Sequence, residues 1–197
     1  MRHGRCGDAA APEDQQLAHD IYKKLIEIKS GATTGATTPA ALAMAARLRA
    51  AGFSESDIFL GGPAPQKWNL VVRYHGTGAQ KPILLLAHTD VVEAKREDRN
   101  TDPFQFIEKD GYYYGRGTAD DKAQASLWVA NLIRYKREGF KPNRDLIVAL
   151  TADEEGGGYN GIRWDTAGAA RAQRGLRPDP RDRVAAPGRE TMSRPRR

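Results

Sequence analysis

Two short runs in this chain carry almost nothing but apolar side chains: ILLLA at 83–87 and DLIVALT at 145–151. A strand with one face in water alternates apolar and polar residues, so runs without alternation predict strands covered on both faces, at the centre of a sheet. The segment between them holds a helical pattern over 120–138, with Leu127, Ala130, Ile133 and Arg134 in register and Gly139 as its stop. Strand, long helix, strand is the signature of an α/β layer with helices on both faces.

The remaining elements fit that frame. Leu17, Ile21, Leu25 and Ile28 recur at helical spacing after Pro12, a residue suited to a first turn. Thr38-Pro39 opens a second helix through Leu42, Ala45, Ala46 and Leu48, and Gly52 ends it. Residues 57–60 and 69–74 read as strands. Residues 104–108 and 112–114 flank Lys109-Asp110-Gly111, a hairpin signal.

Charge and composition narrow the function classes. The formal net charge is +6, but residues 165–197 hold nine arginines against four acids, while the rest of the chain holds 22 basic against 21 acidic side chains. The body is nearly neutral, which argues against a nucleic-acid-binding domain there. No stretch approaches the roughly 20 apolar residues of a membrane span. The first 16 residues, MRHGRCGDAAAPEDQQ, lack the apolar core of a signal peptide, so the cytoplasm is the default compartment. The single cysteine, Cys6, excludes an internal disulfide.

After Trp164 the pattern ends. Only Leu176, Val184 and Met192 are larger aliphatic residues there, too few to offset the entropy of ordering the segment. It reads either as a natural disordered tail able to touch phosphates or as a shifted reading frame. The second reading is preferred, because the break interrupts an otherwise continuous sequence. Residues 1–11 are expected to be disordered as well.

Three segments carry chemistry, and each is expected just after a buried strand. His88-Thr89-Asp90 follows ILLLA, with Asp90 placed to orient the imidazole. Gly115–Lys122 (GRGTADDK) is a glycine turn with acids at the start of a helix, where the dipole favours a carboxylate. Asp153-Glu154-Glu155-Gly156 follows DLIVALTA, and two adjacent carboxylates suit a split between metal and proton. Ligands in open α/β sheets gather beyond the carboxyl ends of strands.

AHTD, GRGTADDK and TADEEG, in that order, resemble the M20 family of zinc peptidases and amidohydrolases over about residues 14–164. The resemblance implies a three-layer α/β/α sandwich of the zinc-exopeptidase type, here in part, spanning 12–164. It implies two zinc ions, which cobalt can replace, and hydrolysis of a peptide or N-acyl amino-acid bond. His88 would be a terminal ligand of one zinc, with Asp90 orienting it. Asp120 would bridge both ions, and Asp121 would occupy a variable position. Glu155 would be a terminal ligand of the second zinc and Glu154 the general base.

The family pattern also needs a later acid and a later histidine, and relatives are often dimers through an inserted domain. Asp179 and Asp182 lie in the Arg-rich segment, and no histidine follows His88. The expectation is a hydrolase by descent, truncated and inactive alone. The competing expectation is a non-catalytic binder whose arginines contact nucleic acid or acidic surfaces. Relatives of this type can carry signal peptides, so secretion stays open.

Overall fold

A computed structural model of the chain describes residues 10–163. The expectations for residues 1–9, for 165–197 and for Asp179 and Asp182 lie outside the described residues.

Among the described residues three α-helices and six strands follow one another: α1 Pro12–Ile26, α2 Thr38–Ala50, β1 Ile58–Gly61, β2 Asn69–Tyr74, β3 Ile83–His88, β4 Ile107–Lys109, β5 Tyr112–Tyr114, α3 Lys122–Glu138 and β6 Leu146–Thr151. The α/β class is as the sequence predicts. The main sheet has the order β1-β2-β6-β3, with β3 and β6 parallel and the other neighbours antiparallel. The helix α3 makes the crossover between the parallel pair. The strands β4 and β5 form a separate hairpin, turned by Asp110 and Gly111, both at positive φ. That geometry matches the two-residue turn favoured by strand twist.

One face of the sheet makes the core. Ile21 and Leu25 from α1, Ala41, Met44 and Leu48 from α2, and Val129 and Leu132 from α3 pack there against Leu70, Val72, Val148 and Leu150. The opposite face carries a smaller buried group, Val71, Ile147 and Ala149, with Phe59 against it. Among the described residues the helices cover the first face alone.

The run ILLLA departs from its expectation. It does neighbour β6 in parallel, but among the described residues β3 pairs on one side only and is the sheet edge. Ile83, Leu84 and Leu86 are 41, 44 and 40% exposed. Apolar continuity reports how much burial a strand can use. It does not report how many neighbours are present to supply it.

One loop is stapled at a distance. The Glu93 carboxylate accepts hydrogen bonds from the backbone N–H and hydroxyl of both Thr33 and Thr34. Burial would raise this carboxyl, yet the four donors outweigh it and hold the pKa at about 2, against an ordinary 4.5. A depressed carboxylate stabilises the fold above its unfolded pKa and loses that contribution as pH falls towards the folded value. Glu93→Gln should therefore cost about 1–2 kcal/mol at pH 7, discounting for partial exposure. It should also flatten the acid limb of a thermal-midpoint profile between about pH 4.5 and 2. An unchanged acid limb would show that the staple contributes nothing.

Candidate metal centre

The site forms where β3 and β6 end and α3 begins. His88 is the last residue of β3, and the backbone carries it on through Thr89 N–H donating to Thr151 O (3.0 Å) and Val91 N–H donating to Ser30 O (3.1 Å). Asp120 stands just ahead of α3, after a turn that needs glycine at 117. There φ is +88°, and a Cβ would meet Val91 Cγ1 at 2.8 Å and Lys122 Cδ at 2.9 Å. Glu154 and Glu155 follow β6 in a loop.

His88, Asp120 and Glu155 each offer one ligand atom, and these atoms all lie within 4.8 Å of one another. His88 Nε2 is 3.0 Å from Asp120 Oδ1 and 3.9 Å from Glu154 Oε2. His88 Nδ1 faces the Asp90 carbonyl oxygen at 3.1 Å. With Nδ1 turned to that carbonyl, Nε2 is the nitrogen that faces the acids. The Asp90 carboxylate is fully buried. Its Oδ2 accepts the Glu155 backbone N–H (2.9 Å), and its Oδ1 has no hydrogen-bond partner among the described residues and lies 3.6 Å from His88 Nδ1. Asp90 thus reaches the imidazole mainly through its own backbone, and its carboxylate ties β3 to the glutamate loop.

One imidazole nitrogen and two carboxylates at this separation are a donor set that fits a metal cation. Burial would lower the His88 imidazole, but the Asp90 carboxylate and carbonyl, Asp120 and Asp121 together hold its pKa above the ordinary value. Burial raises the Asp121 carboxyl; His88 opposes this and the charges of Asp120 and Glu154 add to it.

Sequence reasoning missed several supports. Asp121, read as a variable position, accepts the His88 backbone N–H (3.3 Å) and sits at the helix cap without capping the helix. Asp120 lies ahead of the helix rather than in it, and its side chain is 74% exposed, so its anchor is His88 rather than the helix end. Lys122 is the largest fully buried side chain, donating from Nζ to Ile28 O (2.9 Å). Burial pushes its ammonium down to about 7, with Asp90 pulling the other way. A lysine two residues after an aspartate at a helix start gives no sign of such burial. Lys67, two residues ahead of β2, and Asn69, its first residue, also reach the loop.

With this geometry in place, similarity to known proteins is decisive. The sequence profile of peptidase family M20/M25/M40 matches residues 84–186, more than half of the chain. The chain belongs to that family. That family is one of peptidases. The match runs past Trp164 into the Arg-rich segment. A succinyl-diaminopimelate desuccinylase of Xanthomonas euvesicatoria pv. vesicatoria is 38% identical over 138 residues, 69% of this chain and 35% of that protein. The N-fatty-acyl-amino acid synthase/hydrolase PM20D1 of Xenopus tropicalis is 44% identical over 82 residues, 42% of this chain and 16% of that protein. The chain thus spans about a third or less of the length of these relatives. Among solved structures, human carnosine dipeptidase 1 matches at a TM-score of 0.65 and 18% identity, over 84% of this chain and 38% of that one. The Saccharomyces cerevisiae dipeptidase Dug1p matches at 0.60 and 20%, over 71% of this chain and 32% of that one. At those identities the two structures speak for the M20 fold of the body alone. No helix among the described residues is long and apolar enough to cross a membrane.

Proposed function

We propose that this chain carries the metal-holding part of a zinc hydrolase acting on peptide or N-acyl amino-acid bonds. The observation that carries the reading is the convergence of His88, Asp120 and Glu155, with Glu154 beside them. In this reading His88, Asp120 and Glu155 would hold the two zinc ions, and Asp90 would orient His88. Bound zinc would supply a Lewis acid for the substrate carbonyl and a more acidic water. Glu154, 49% exposed beside these residues, would act as the general base, taking a proton from water and handing it to the leaving nitrogen.

A cleft of about 500 Å³ opens at the same place, lined by Arg99, Tyr113, Tyr114 and Arg116 as well as Asp120 and Glu155. Two guanidinium groups beside a carbonyl-activating centre suit an acyl or amino-acid substrate with a carboxylate of its own. The names of the relatives, a desuccinylase and a fatty-acyl-amino acid hydrolase, favour N-acyl amino acids over longer peptides.

We also infer that the 197-residue polypeptide, assayed by itself, binds zinc without turning substrate over, because no second histidine lies near the site among the described residues. Catalytic zinc normally takes three protein ligands per ion. The check is a zinc titration together with an assay on N-succinyl and N-acetyl amino acids and dipeptides. Zinc should bind equally to the original chain and to Glu154→Gln, with hydrolysis below detection in both. Failure to bind zinc would sink the metal-hydrolase reading. Turnover that Glu154→Gln abolishes would uphold that reading and overturn the inference that the chain is inert alone.

A further inference from the structure

The loop that presents Glu154 and Glu155 is held from the β3 side by Asp90, and equally firmly from the opposite side by residues that belong to no motif. Asn69, fully buried at the start of β2, accepts the Ala152 backbone N–H at Oδ1 (2.9 Å) and donates from Nδ2 to Gly161 O (3.1 Å). Gly161 N–H in turn donates to Ala152 O (2.8 Å), so one carboxamide closes both ends of the loop. Two residues earlier, Lys67 places Nζ 2.7 Å from Asp153 Oδ1 and donates to Ala32 O (2.7 Å). The side chains of this Lys67–Asp153 pair are 7% and 1% exposed.

Asp153 is the residue that needs such an anchor. Its φ is +54°, left-handed backbone that a non-glycine residue adopts at a cost of about 1–3 kcal/mol. Its Oδ2 accepts the Tyr159 backbone N–H (3.3 Å), and its carbonyl accepts from Asn160 Nδ2 (3.4 Å). Gly157 lies so close that a Cβ there would stand 2.8 Å from Asp153 Cγ. The reversal of the chain at Asp153 sets the direction in which the next two side chains leave the backbone. A buried lysine–aspartate pair adds little net stability, because desolvating both charges offsets their attraction. What it fixes is orientation.

We propose that Lys67 and Asn69 are positioning residues for the metal centre, clamping the 152–161 loop so that Glu155 meets His88 and Asp120 and Glu154 stands beside them. The proposal rests on the metal-hydrolase reading above, and extends it to residues that touch neither metal nor substrate. Lys67 acts through Asp153, Asn69 through Ala152 and Gly161.

The test uses the 197-residue chain with cobalt(II) as a spectroscopic probe, beside hydrogen exchange on the metal-free protein. In Lys67→Met and Asp153→Asn, cobalt affinity should fall by about tenfold or more and the visible absorption band should change in shape and intensity. The amides of Glu155 and Tyr159 should exchange at least about tenfold faster, while those of Val148 and Leu150 in β6 stay protected. The milder Asp153→Asn decides the matter if Lys67→Met does not fold. Unchanged affinity, spectrum and exchange in a folded variant would overturn the clamp. If the original chain binds no cobalt, the metal reading falls and exchange alone judges the clamp: local acceleration upholds it, and unchanged exchange removes it.

Discussion

Zinc supplied at about a hundred times its Kd should raise the thermal midpoint of this chain by about 5–11 °C, and Asp120→Asn should remove nearly all of that rise. A ligand bound only by the folded state stabilises it by RT ln(1 + [L]/Kd), about 2.7 kcal/mol at that ratio. A body of this size gains about 2–4 °C per kcal/mol. Asp120 is the acid that touches His88 Nε2, and an amide in its place offers zinc a neutral oxygen instead of a charged one. A loss of at least about a hundredfold in affinity leaves about 0.4 kcal/mol of stabilisation at the same zinc concentration, a shift near 1 °C. The metal-free midpoint should hardly move, since the Asp120 side chain is largely in solvent. Equal zinc-induced rises in the two proteins would place the metal elsewhere.

The second large effect belongs to Asp90, and here two substitutions should separate. Asp90→Ala leaves the Glu155 backbone N–H buried without its acceptor and empties the space beside His88 Nδ1. An unsatisfied donor away from water costs about 1–3 kcal/mol, and releasing the backbone of Glu155 from its anchor should weaken zinc by about 10–100-fold. Asp90→Asn keeps an oxygen that can accept from Glu155, and the His88 tautomer is still set by the residue 90 carbonyl. It should therefore retain most of the affinity that alanine loses. Calorimetric zinc titrations of both variants make the comparison. If alanine and asparagine weaken zinc equally, the carboxylate's charge matters more than its tie to the glutamate loop.

The sequence makes the elements and the three chemical segments legible because each has a local sign. Helical spacing marks Ile21 and Leu25, Gly139 at φ +64° ends α3, and Asp110-Gly111 makes the hairpin turn. His88, Asp120, Glu154 and Glu155 stand next to strand ends or a helix start, so their convergence follows once β3 and β6 are parallel neighbours. Contacts between elements leave no such sign. Nothing in QKWN tells a reader that Lys67 pairs with Asp153 or that Asn69 spans Ala152 and Gly161, because both partners lie more than 80 residues away. The same holds for β3: its composition is that of a central strand, while its position depends on which other segments are present to pair with it.

That edge position bears on how the protein must be handled. Among the described residues β3 is paired on one side only, so it presents a row of backbone donors and acceptors along an uncharged run of large aliphatic residues. Gln124 Nε2 occupies only the Leu86 carbonyl (3.1 Å). Lys81 and Pro82, immediately before the run, have the character of gatekeepers that discourage strand-to-strand stacking at its entry. Beyond them the strand is a template for addition of another extended chain. Among the described residues β3 thus offers an edge for self-association, and a charge introduced at Leu84 or Leu86 should lower any concentration-dependent association that would interfere with measuring the metal chemistry.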